Sequence, residues 1–296
     1  MKCLVTGGAG FIGSNLVDEL IKRGHKVIVI DNESAEENEE FYWNDEAENH
    51  KVDICDYEAI EPLFEGVDWV FHMAAQSRIQ PAIKNPIRTV QVNCEGTTNI
   101  LQASRTHKVK KVMYSSTSSY YGLTNQPPLK ETMERDCLNP YSVTKIAAED
   151  IFRMYTKLFG VKTVIFRYFN VYGKRQPTRG QYAPVVGLFQ KMRAEGKPMT
   201  IVGDGKQRRD YTDVIDVVNA NIMAAESDRV GDAEVMNIGT GTNHSVLDLA
   251  EMIGGPYVHI EQRPGEAKET LADITNVTTL LGWKPTKKLE DFIKNG

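Results

Sequence analysis

A glycine-rich loop near the amino terminus constrains the fold of this chain more than any other feature. Residues 2–6 form a short apolar run, and Gly7, Gly10 and Gly13 follow it at the start of a helical apolar pattern over residues 11–23. A second, β-branched run comes directly after that helix. The order strand, glycine turn, helix, strand predicts a dinucleotide-binding unit, because glycine lets backbone approach a pyrophosphate and the helix amino terminus offers it N–H groups.

The acidic residues after the second predicted strand, at residues 27–30, bear on which dinucleotide fits. Asp31 lies eighteen residues after Gly13, where a carboxylate accepts hydrogen bonds from ribose hydroxyls and repels a 2′-phosphate. Residues 32–50 contain eight Asp or Glu residues and no Lys or Arg. We therefore predict NAD as the cofactor rather than NADP, and the same residues also fit a solvent-exposed acidic loop.

Strands and helices alternate along the rest of the chain. Further strands are predicted at Val52 and Ile54 and at residues 68–72, 111–115 and 161–167. Helices are predicted at residues 57–64, 86–106, 140–159, 182–195, 214–226 and 246–253, with short helices over residues 275–295. This alternation predicts an α/β fold with a Rossmann-type doubly wound parallel sheet.

The alternation weakens after residue 170, where a polar loop rich in Gly, Arg and Pro begins. We expect an NAD-binding domain over residues 1–170 and a smaller carboxy-terminal α/β region for substrate over residues 171–296. The boundary between them is soft and allows the two to interleave. The chain ends soon after its last helical pattern, which predicts a trimmed carboxy terminus.

Composition excludes several classes of protein. The 35 Lys and Arg residues against 40 Asp and Glu residues give a net charge of −5, which offers no general attraction to nucleic acid. No apolar stretch is long enough to cross a membrane, and the amino terminus enters a strand pattern with no room for a signal peptide. The four cysteines form no CxxC pair, which argues against a zinc site or a disulfide framework and fits a reducing, cytoplasmic location.

A tyrosine and a lysine on the helix predicted at residues 140–159 are the candidates for chemistry. Tyr141 and Lys145 are four residues apart and therefore share one helical face. A nearby ammonium favours the phenolate and lowers the pKa of a tyrosine, so we expect Tyr141 to act as a base. The strand predicted at residues 111–115 ends in a run of hydroxyl side chains, at the sheet edge where such folds place their ligands.

Together these motifs resemble those of the extended short-chain dehydrogenases/reductases, specifically the NAD-dependent nucleotide-sugar epimerase/dehydratase family. The resemblance covers nearly the whole chain. Besides the glycine loop, Asp31-Asn32 and the Tyr141–Lys145 pair, it rests on Ala74-Ala75-Gln76, Tyr121-Gly122, the run from Arg167 to Gly173, the run from Arg208 to Tyr211, and Asn237-Ile238-Gly239.

The resemblance implies a role for many individual residues. Aligning the family's Tyr-Gly with Tyr121-Gly122 makes Thr117 the catalytic hydroxyl beside Tyr141 and Lys145, with Ser116 as the alternative. The residues expected to contact NAD are Gly7, Gly10, Phe11, Ile12, Gly13, Asp31, Asn32, Asp53, Ile54, Met73, Ala74, Ala75, Gln76, Asn93, Tyr141, Lys145 and Tyr168. The residues expected to contact a UDP-sugar are Ser77, Arg78, Thr117, Asn170, Gln181, Tyr182, Val185, Arg209, Arg263, Glu266 and Thr270.

Several of these assignments are more specific. Asn170, Arg209 and Arg263 would hold the diphosphate, because arginines suit phosphate oxygens. Glu266 would reach the nucleoside ribose, and Tyr168 would pack near the nicotinamide.

The reaction follows from what stands beside the catalytic hydroxyl. The family's 4,6-dehydratases have Asp and Glu there, whereas this chain has Ser118 and Ser119, which disfavours dehydration. Reversible hydride transfer at C4 remains, and it predicts 4-epimerisation of a UDP-hexose. The loop over residues 175–184 resembles that of bacterial UDP-hexose epimerases, in which the residue seven after the carboxy-terminal Arg helps size the pocket beside C2. By this resemblance that residue is Thr270, which is small enough to leave room for an N-acetyl group. We expect UDP-GlcNAc/UDP-GalNAc as substrate, with UDP-Glc/UDP-Gal as further candidates.

Other functions stay open at this point. Within the family, the alternatives are a UDP-glucuronate epimerase or decarboxylase and a keto-sugar reductase. The alternative that is not an enzyme is an NAD-sensing binding protein. In this family the counterparts of the helices at residues 86–106 and 140–159 pair in a dimer, so we also expect a homodimer.

Overall fold

A parallel β-sheet forms the centre of this computed structural model, which describes residues 1–36, 38–179, 183–261 and 267–295. The strands are, in chain order, β1 (Lys2–Thr6), β2 (Lys26–Asp31), β3 (Glu48–Lys51), β4 (Trp69–His72), β5 (Lys111–Thr117), β6 (Thr163–Tyr168), β7 (Val171–Tyr172), β8 (Met199–Val202), β9 (Arg208–Arg209), β10 (Thr212–Asp213), β11 (Asp232–Ile238), β12 (His244–Ser245) and β13 (Tyr257–Ile260). Seven of them form the main sheet in the order β11-β6-β5-β4-β1-β2-β3, and every neighbouring pair is parallel. The predicted α/β fold with a Rossmann-type sheet is confirmed.

Helices connect these strands and cover the sheet. They are α1 (Phe11–Lys22), α2 (Tyr57–Ile60), α3 (Ile79–Lys84), α4 (Pro86–Val90), α5 (Thr97–Thr106), α6 (Pro140–Phe159), α7 (Val185–Ala194), α8 (Val214–Glu226), α9 (Val246–Ile253), α10 (Thr275–Leu281) and α11 (Leu289–Asn295). None of the described helices is long and apolar enough to cross a membrane.

Two apolar cores lie on opposite faces of the main sheet, because successive residues of a strand point to opposite sides. In β1, Cys3 and Val5 pack with α1 and α8, whereas Leu4 packs with α5 and α6. A third core, separate from the sheet, joins α7, α9, β8 and the last helix. The 171–296 part of the chain thus supplies a small α/β layer of its own, and also β11 and α8 of the main sheet and its cover.

Helix α6 has the bounds that the sequence predicts. Asn139 caps its amino end by accepting a hydrogen bond from the Ser142 N–H at 2.9 Å, and Pro140 occupies the first turn. Gly160 ends it in the left-handed conformation, with φ +70°.

Three predicted elements differ from the structure. The third strand is β3, not Val52 and Ile54; it is a polar, mostly exposed edge strand that carries no hydrophobic signal. The helix predicted at residues 57–64 becomes 3-10 helix from Glu61 onward. The helix predicted at residues 86–106 contains a π-helical segment, Gln91–Gly96, between α4 and α5.

Helix α3 and all the strands from β7 to β13 escaped prediction. Among them, β11 begins with polar residues and pairs with β6 in the main sheet.

Candidate active site

A cavity of about 780 Å³ runs along the carboxyl edge of the main sheet. Residues at or just beyond the ends of β1, β2, β4, β5 and β6 line it. Parallel strands end at the same edge, so residues far apart in the sequence meet there. Of the predicted cofactor residues, those that line this cavity are Gly7, Gly10, Phe11, Ile12, Gly13, Asp31, Asn32, Asp53, Ile54, Met73, Ala74, Ala75, Tyr141, Lys145 and Tyr168.

The glycine loop leaves no room for side chains at two of its positions. Gly7 has φ +66°, and a Cβ there would lie 2.8 Å from the backbone nitrogen of Ala74. A Cβ at Gly13 would lie 2.1 Å from the Gly7 oxygen. Gly10 differs, because its nearest such contact would be 3.4 Å away, and it begins α1 without a side-chain cap. The loop is therefore packed tightly on its inner side and bare where it faces the cavity, which fits a pyrophosphate.

Asp31 is held rigidly at the end of β2. Its carboxylate accepts hydrogen bonds from the backbone N–H groups of Ala9 at 3.1 Å and Glu33 at 2.8 Å. Burial raises the pKa of Asp31, and these two backbone donors oppose that shift. An acceptor fixed in this way suits ribose hydroxyls.

Nearby cations are engaged with carboxylates. Lys51 forms an ion pair with Glu33, and Arg88 forms one with Asp53. Asn32 also donates to Asp53, at 3.0 Å. The end of the cavity beside Asp31 therefore presents acidic groups together with paired cations, and a phosphate there would have to compete with those carboxylates.

An acidic loop, residues 32–47 without Glu37, covers this end of the cavity. Its residues Ala35, Asn38 and Phe41 line the wall. Glu39 accepts a hydrogen bond from Thr178 at 2.7 Å and forms an ion pair with Lys191. The sequence reasoning treated this loop only as a source of charge and so missed its contribution to the wall.

The structure places Thr117 beside Tyr141. The Thr117 hydroxyl acts to lower the pKa of Tyr141, and both side chains line the cavity together with Lys145. The alternative, Ser116, also lines the cavity, but its hydroxyl donates to the buried Glu149 at 2.6 Å. Of the two hydroxyls left open by the sequence, Thr117 is the one that meets the tyrosine.

The pKa values of Tyr141 and Lys145 show the effect of burial. Burial raises the pKa of Tyr141, while the Thr117 hydroxyl and the charge of Arg78 act in the opposite direction. Burial also lowers the pKa of Lys145 to about 7. The expected net lowering of the tyrosine pKa is therefore wrong for the protein alone, because loss of solvation outweighs the charges around the phenol.

Two predicted cofactor residues are absent from the described cavity wall. Asn93 lies in the π-helical segment with its side chain buried. It accepts a hydrogen bond from the backbone N–H of Gln76 at 2.8 Å and donates to the Thr144 hydroxyl at 2.9 Å. Asn93 thus ties the turn after β4 to α6, and Gln76 takes part through its backbone.

Most of the predicted sugar-nucleotide residues line the same cavity. Those that line it are Ser77, Arg78, Thr117, Asn170, Val185, Arg209 and Thr270. The Thr270 hydroxyl accepts from the backbone N–H of Asp210 at 3.4 Å. Four others lie outside the described residues: Gln181, Tyr182, Arg263 and Glu266.

Comparison with known proteins agrees with this geometry. The family model described as GDP-mannose 4,6 dehydratase matches residues 4–296. The chain is 36% identical to the UDP-glucose 4-epimerase of Thermotoga maritima, solved with UDP-glucose, with a TM-score of 0.93 over 99% of this chain and 96% of that one. It is 33% identical to the UDP-N-acetylglucosamine 4-epimerase of Methanobrevibacter ruminantium, solved with UDP-N-acetylmuramic acid, with a TM-score of 0.92 over 99% and 96%. It is also 33% identical to the UDP-glucuronic acid 4-epimerase of Bacillus cereus, solved with UDP-glucuronic acid and NAD, with a TM-score of 0.89 over 99% and 97%.

Proposed function

We propose that this chain, which belongs to the NAD-dependent epimerase/dehydratase family of extended short-chain dehydrogenases/reductases, inverts the configuration at C4 of a UDP-hexose. The observation that carries the proposal is that Tyr141, Lys145 and Thr117 line the same cavity as the glycine loop. A proton acceptor and a dinucleotide site in one cavity are what reversible oxidation of a sugar alcohol requires.

The residues present fit NAD. Gly10 and the open amino end of α1 would hold the pyrophosphate, and Asp31 would accept from the ribose hydroxyls. When bound, NAD supplies reversible hydride acceptance. The acidic surroundings of Asp31 favour this cofactor over its 2′-phosphorylated form.

Tyr141 handles the proton in this mechanism. Its phenolate oxygen takes the proton of the sugar 4-hydroxyl as hydride leaves C4, and the proton returns when hydride is delivered to the opposite face. The Thr117 hydroxyl, which acts to lower the pKa of the phenol, can share that proton with the substrate oxygen. An ammonium on Lys145, one helical turn away, favours the phenolate.

If the protein holds its substrate by the diphosphate, either face of the sugar ring can be turned toward the cofactor site. Arg209 and Asn170 also line the cavity, and we assign them to the diphosphate. A 4-keto sugar anchored only there can turn over within the cavity.

The choice of sugar rests on Thr270. This short side chain stands at the cavity wall with its hydroxyl toward Asp210, and it leaves space for an N-acetyl group at C2. We therefore assign UDP-GlcNAc/UDP-GalNAc as substrate, with UDP-Glc/UDP-Gal also accepted. Ser118 and Ser119 line the same cavity and carry no carboxylate for removal of water, so dehydration is not assigned.

A homodimer accompanies this function in our proposal. Apolar side chains are strongly exposed on α4 and α6, with exposed fractions of 74% for Ile87, 67% for Leu158 and 51% for Val143. Side chains of this kind on neighbouring helices are typical of a surface covered by another subunit.

The test is incubation of the purified, NAD-containing protein with each UDP-hexose and with UDP-glucuronate, followed by NMR of the products. We expect C4 inversion of the N-acetylated pair without net consumption of NADH. Lack of inversion on every UDP-sugar would refute the proposal. Inversion of UDP-glucuronate alone would refute the hexose assignment, and stoichiometric use of NADH would point to a reductase. The Tyr141→Phe variant should lose about 10²- to 10⁴-fold in turnover yet retain NAD.

A further inference from the structure

A buried carboxylate lies directly behind the catalytic group. Glu149 is on α6, one turn after Lys145 and two turns after Tyr141, so the three share one helical face. Its side chain is fully buried. It accepts hydrogen bonds from the Ser116 hydroxyl at 2.6 Å and from the Arg167 guanidinium at 3.0 and 2.8 Å.

Arg167 fixes the position of this carboxylate. It is itself buried, its guanidinium lies 3.3 Å from the centre of the Tyr120 ring, and it donates to the Tyr121 hydroxyl at 3.2 Å. Arg153, which is partly exposed, adds a further hydrogen bond to Glu149 at 3.1 Å. Arg167 holds the pKa of Glu149 below its usual range despite burial, so the carboxylate is ionised at neutral pH.

The bond from Ser116 to Glu149 also orients the end of β5. Ser116 and Thr117 are neighbours at the end of β5, so the bond that holds Ser116 to Glu149 also fixes the backbone from which the Thr117 side chain reaches the cavity. Thr117 is then the hydroxyl that meets Tyr141.

We propose that Glu149 is a positioning residue for the reaction, because its buried charge keeps Lys145 in the ammonium form while its bond to Ser116 aims Thr117 at Tyr141. The claim that Glu149 assists the reaction rests on the proposed function. The claim that Glu149 keeps Lys145 protonated can be tested on the protein without substrate.

The surroundings of Lys145 leave Glu149 as its main source of stabilising charge. The groups that face Lys145 are Tyr141 and Glu149 on α6, Cys94 in the π-helical segment, His72 at the end of β4 and Tyr114 on β5, whose ring centre is 4.4 Å from the lysine Nζ. Burial lowers the pKa of Lys145 to about 7, and Glu149 is the largest influence in the other direction. Burial lowers the pKa of His72 to about 3, so that ring is neutral at pH 7.

A purely structural role makes a different prediction. Arg167 and Arg153 could offset the charge of Glu149 so fully that it has no effect on Lys145. In that case, loss of Glu149 would lower the stability of the protein and leave the pKa of Lys145 unchanged. The two roles can be separated by measuring the lysine directly, without turnover.

The experiment titrates the nucleotide-free protein, labelled with ¹³C at lysine Cε, and follows Lys145 by NMR, its signal assigned by its loss in Lys145→Met. In Glu149→Gln we expect the midpoint to fall by about one pH unit, the lower end of the effect of an opposite charge nearby. An unchanged midpoint in a folded Glu149→Gln protein would overturn the proposal. A shift in a protein that epimerises no UDP-sugar would leave the electrostatic inference standing and refute the proposed function instead.

A second pair of variants covers the case in which Glu149→Gln fails to fold. Arg153→Gln removes one cation that binds Glu149 and leaves the buried Arg167 pair intact, so the Lys145 midpoint should rise. Arg135→Gln is the matched control, because Arg135 and Arg153 both bind Asp150 but only Arg153 binds Glu149. Equal midpoints in these two variants would count against the proposal.

Kinetics tests the other half of the proposal. In Ser116→Ala, kcat should fall, whereas KM and the titration midpoint of Lys145 should stay unchanged, because only the position of the Thr117 side chain is altered. In Glu149→Gln, the decline of kcat at high pH should begin at a lower pH than in the wild type, since Lys145 loses its proton earlier. A wild-type kcat in Ser116→Ala would refute the aiming role.

Discussion

Two glycines of the same loop are expected to fail in opposite ways when replaced by alanine. At Gly13 a Cβ would lie 2.1 Å from the Gly7 oxygen, 1.3 Å closer than the 3.4 Å at which ordinary contact begins. The atoms in the way belong to the backbone of Gly7 and Gly8, so α1 must move away from the loop to make room. Overpacking of this kind costs about 1–3 kcal/mol, which corresponds to a Tm lower by about 5 °C in a chain of this size.

At Gly10 the added methyl meets nothing closer than 3.4 Å within the protein, and its backbone angles suit alanine. The Tm of nucleotide-free Gly10→Ala should therefore stay within about 2 °C of the wild type, the difference reflecting alanine's poorer helix capping. The methyl instead occupies the space through which a pyrophosphate approaches the backbone. If the same 1–3 kcal/mol of overlap falls on the ligand, NAD affinity falls by about 5- to 140-fold.

The assay is the Tm of nucleotide-free protein by calorimetry, together with the Kd for NAD by isothermal titration, for the wild type and both variants. Gly10→Ala should change the Kd and spare the Tm, whereas Gly13→Ala should lower the Tm. The reasoning is refuted if Gly10→Ala binds NAD as tightly as the wild type, or if Gly13→Ala melts at the wild-type temperature.

Four further outcomes are expected. Thr117→Val should lose about 10²-fold or more in kcat, with Thr117→Ser close to the wild type; equal losses in both would exclude a role for the hydroxyl. Thr270→Tyr should lose activity on N-acetylated sugars and keep it on UDP-Glc, so full activity on both would contradict the sizing of the pocket. Ile87→Glu should convert a dimer to a monomer by light scattering, and a wild-type protein that is monomeric at micromolar concentration would remove the dimer proposal. Burial lowers the pKa of His72 to about 3, so below about pH 6.5 the unfolded chain binds a proton that the folded chain does not, and the free energy of unfolding falls as pH falls. Between about pH 6 and pH 3, the wild type should lose about 1.4 kcal/mol more per pH unit than a folded His72→Gln variant. Parallel plots of unfolding free energy against pH for the two proteins would refute the assignment.

The sequence predicts those parts of the fold that local signals specify. Helix α6 has its predicted bounds because Asn139, Pro140 and Gly160 mark its ends in the sequence itself. Strand β3 was missed because an exposed edge strand needs no apolar residues, and its place is set by pairing with β2.

The candidate site follows the same division. Spacing on one helix placed Tyr141 and Lys145 together, and the resemblance to a known family supplied the register that favours Thr117 over Ser116. The direction of the tyrosine pKa shift was wrong, because the cost of burial depends on neighbours that only the folded chain brings together. Glu149 was missed for the same reason: its partner Arg167 comes from a strand that the sequence does not connect with that helix.

The acidic loop joins parts of the molecule that lie far apart in the sequence. It covers the end of the cavity beside Asp31, and Glu39 binds Thr178 and Lys191 from the other half of the chain. These contacts help to hold the loop over that end of the cavity, which favours retention of a dinucleotide lying beneath it. An enzyme that must return hydride to the same sugar it was taken from gains from such retention, since a cofactor that left in mid-reaction would strand the keto sugar.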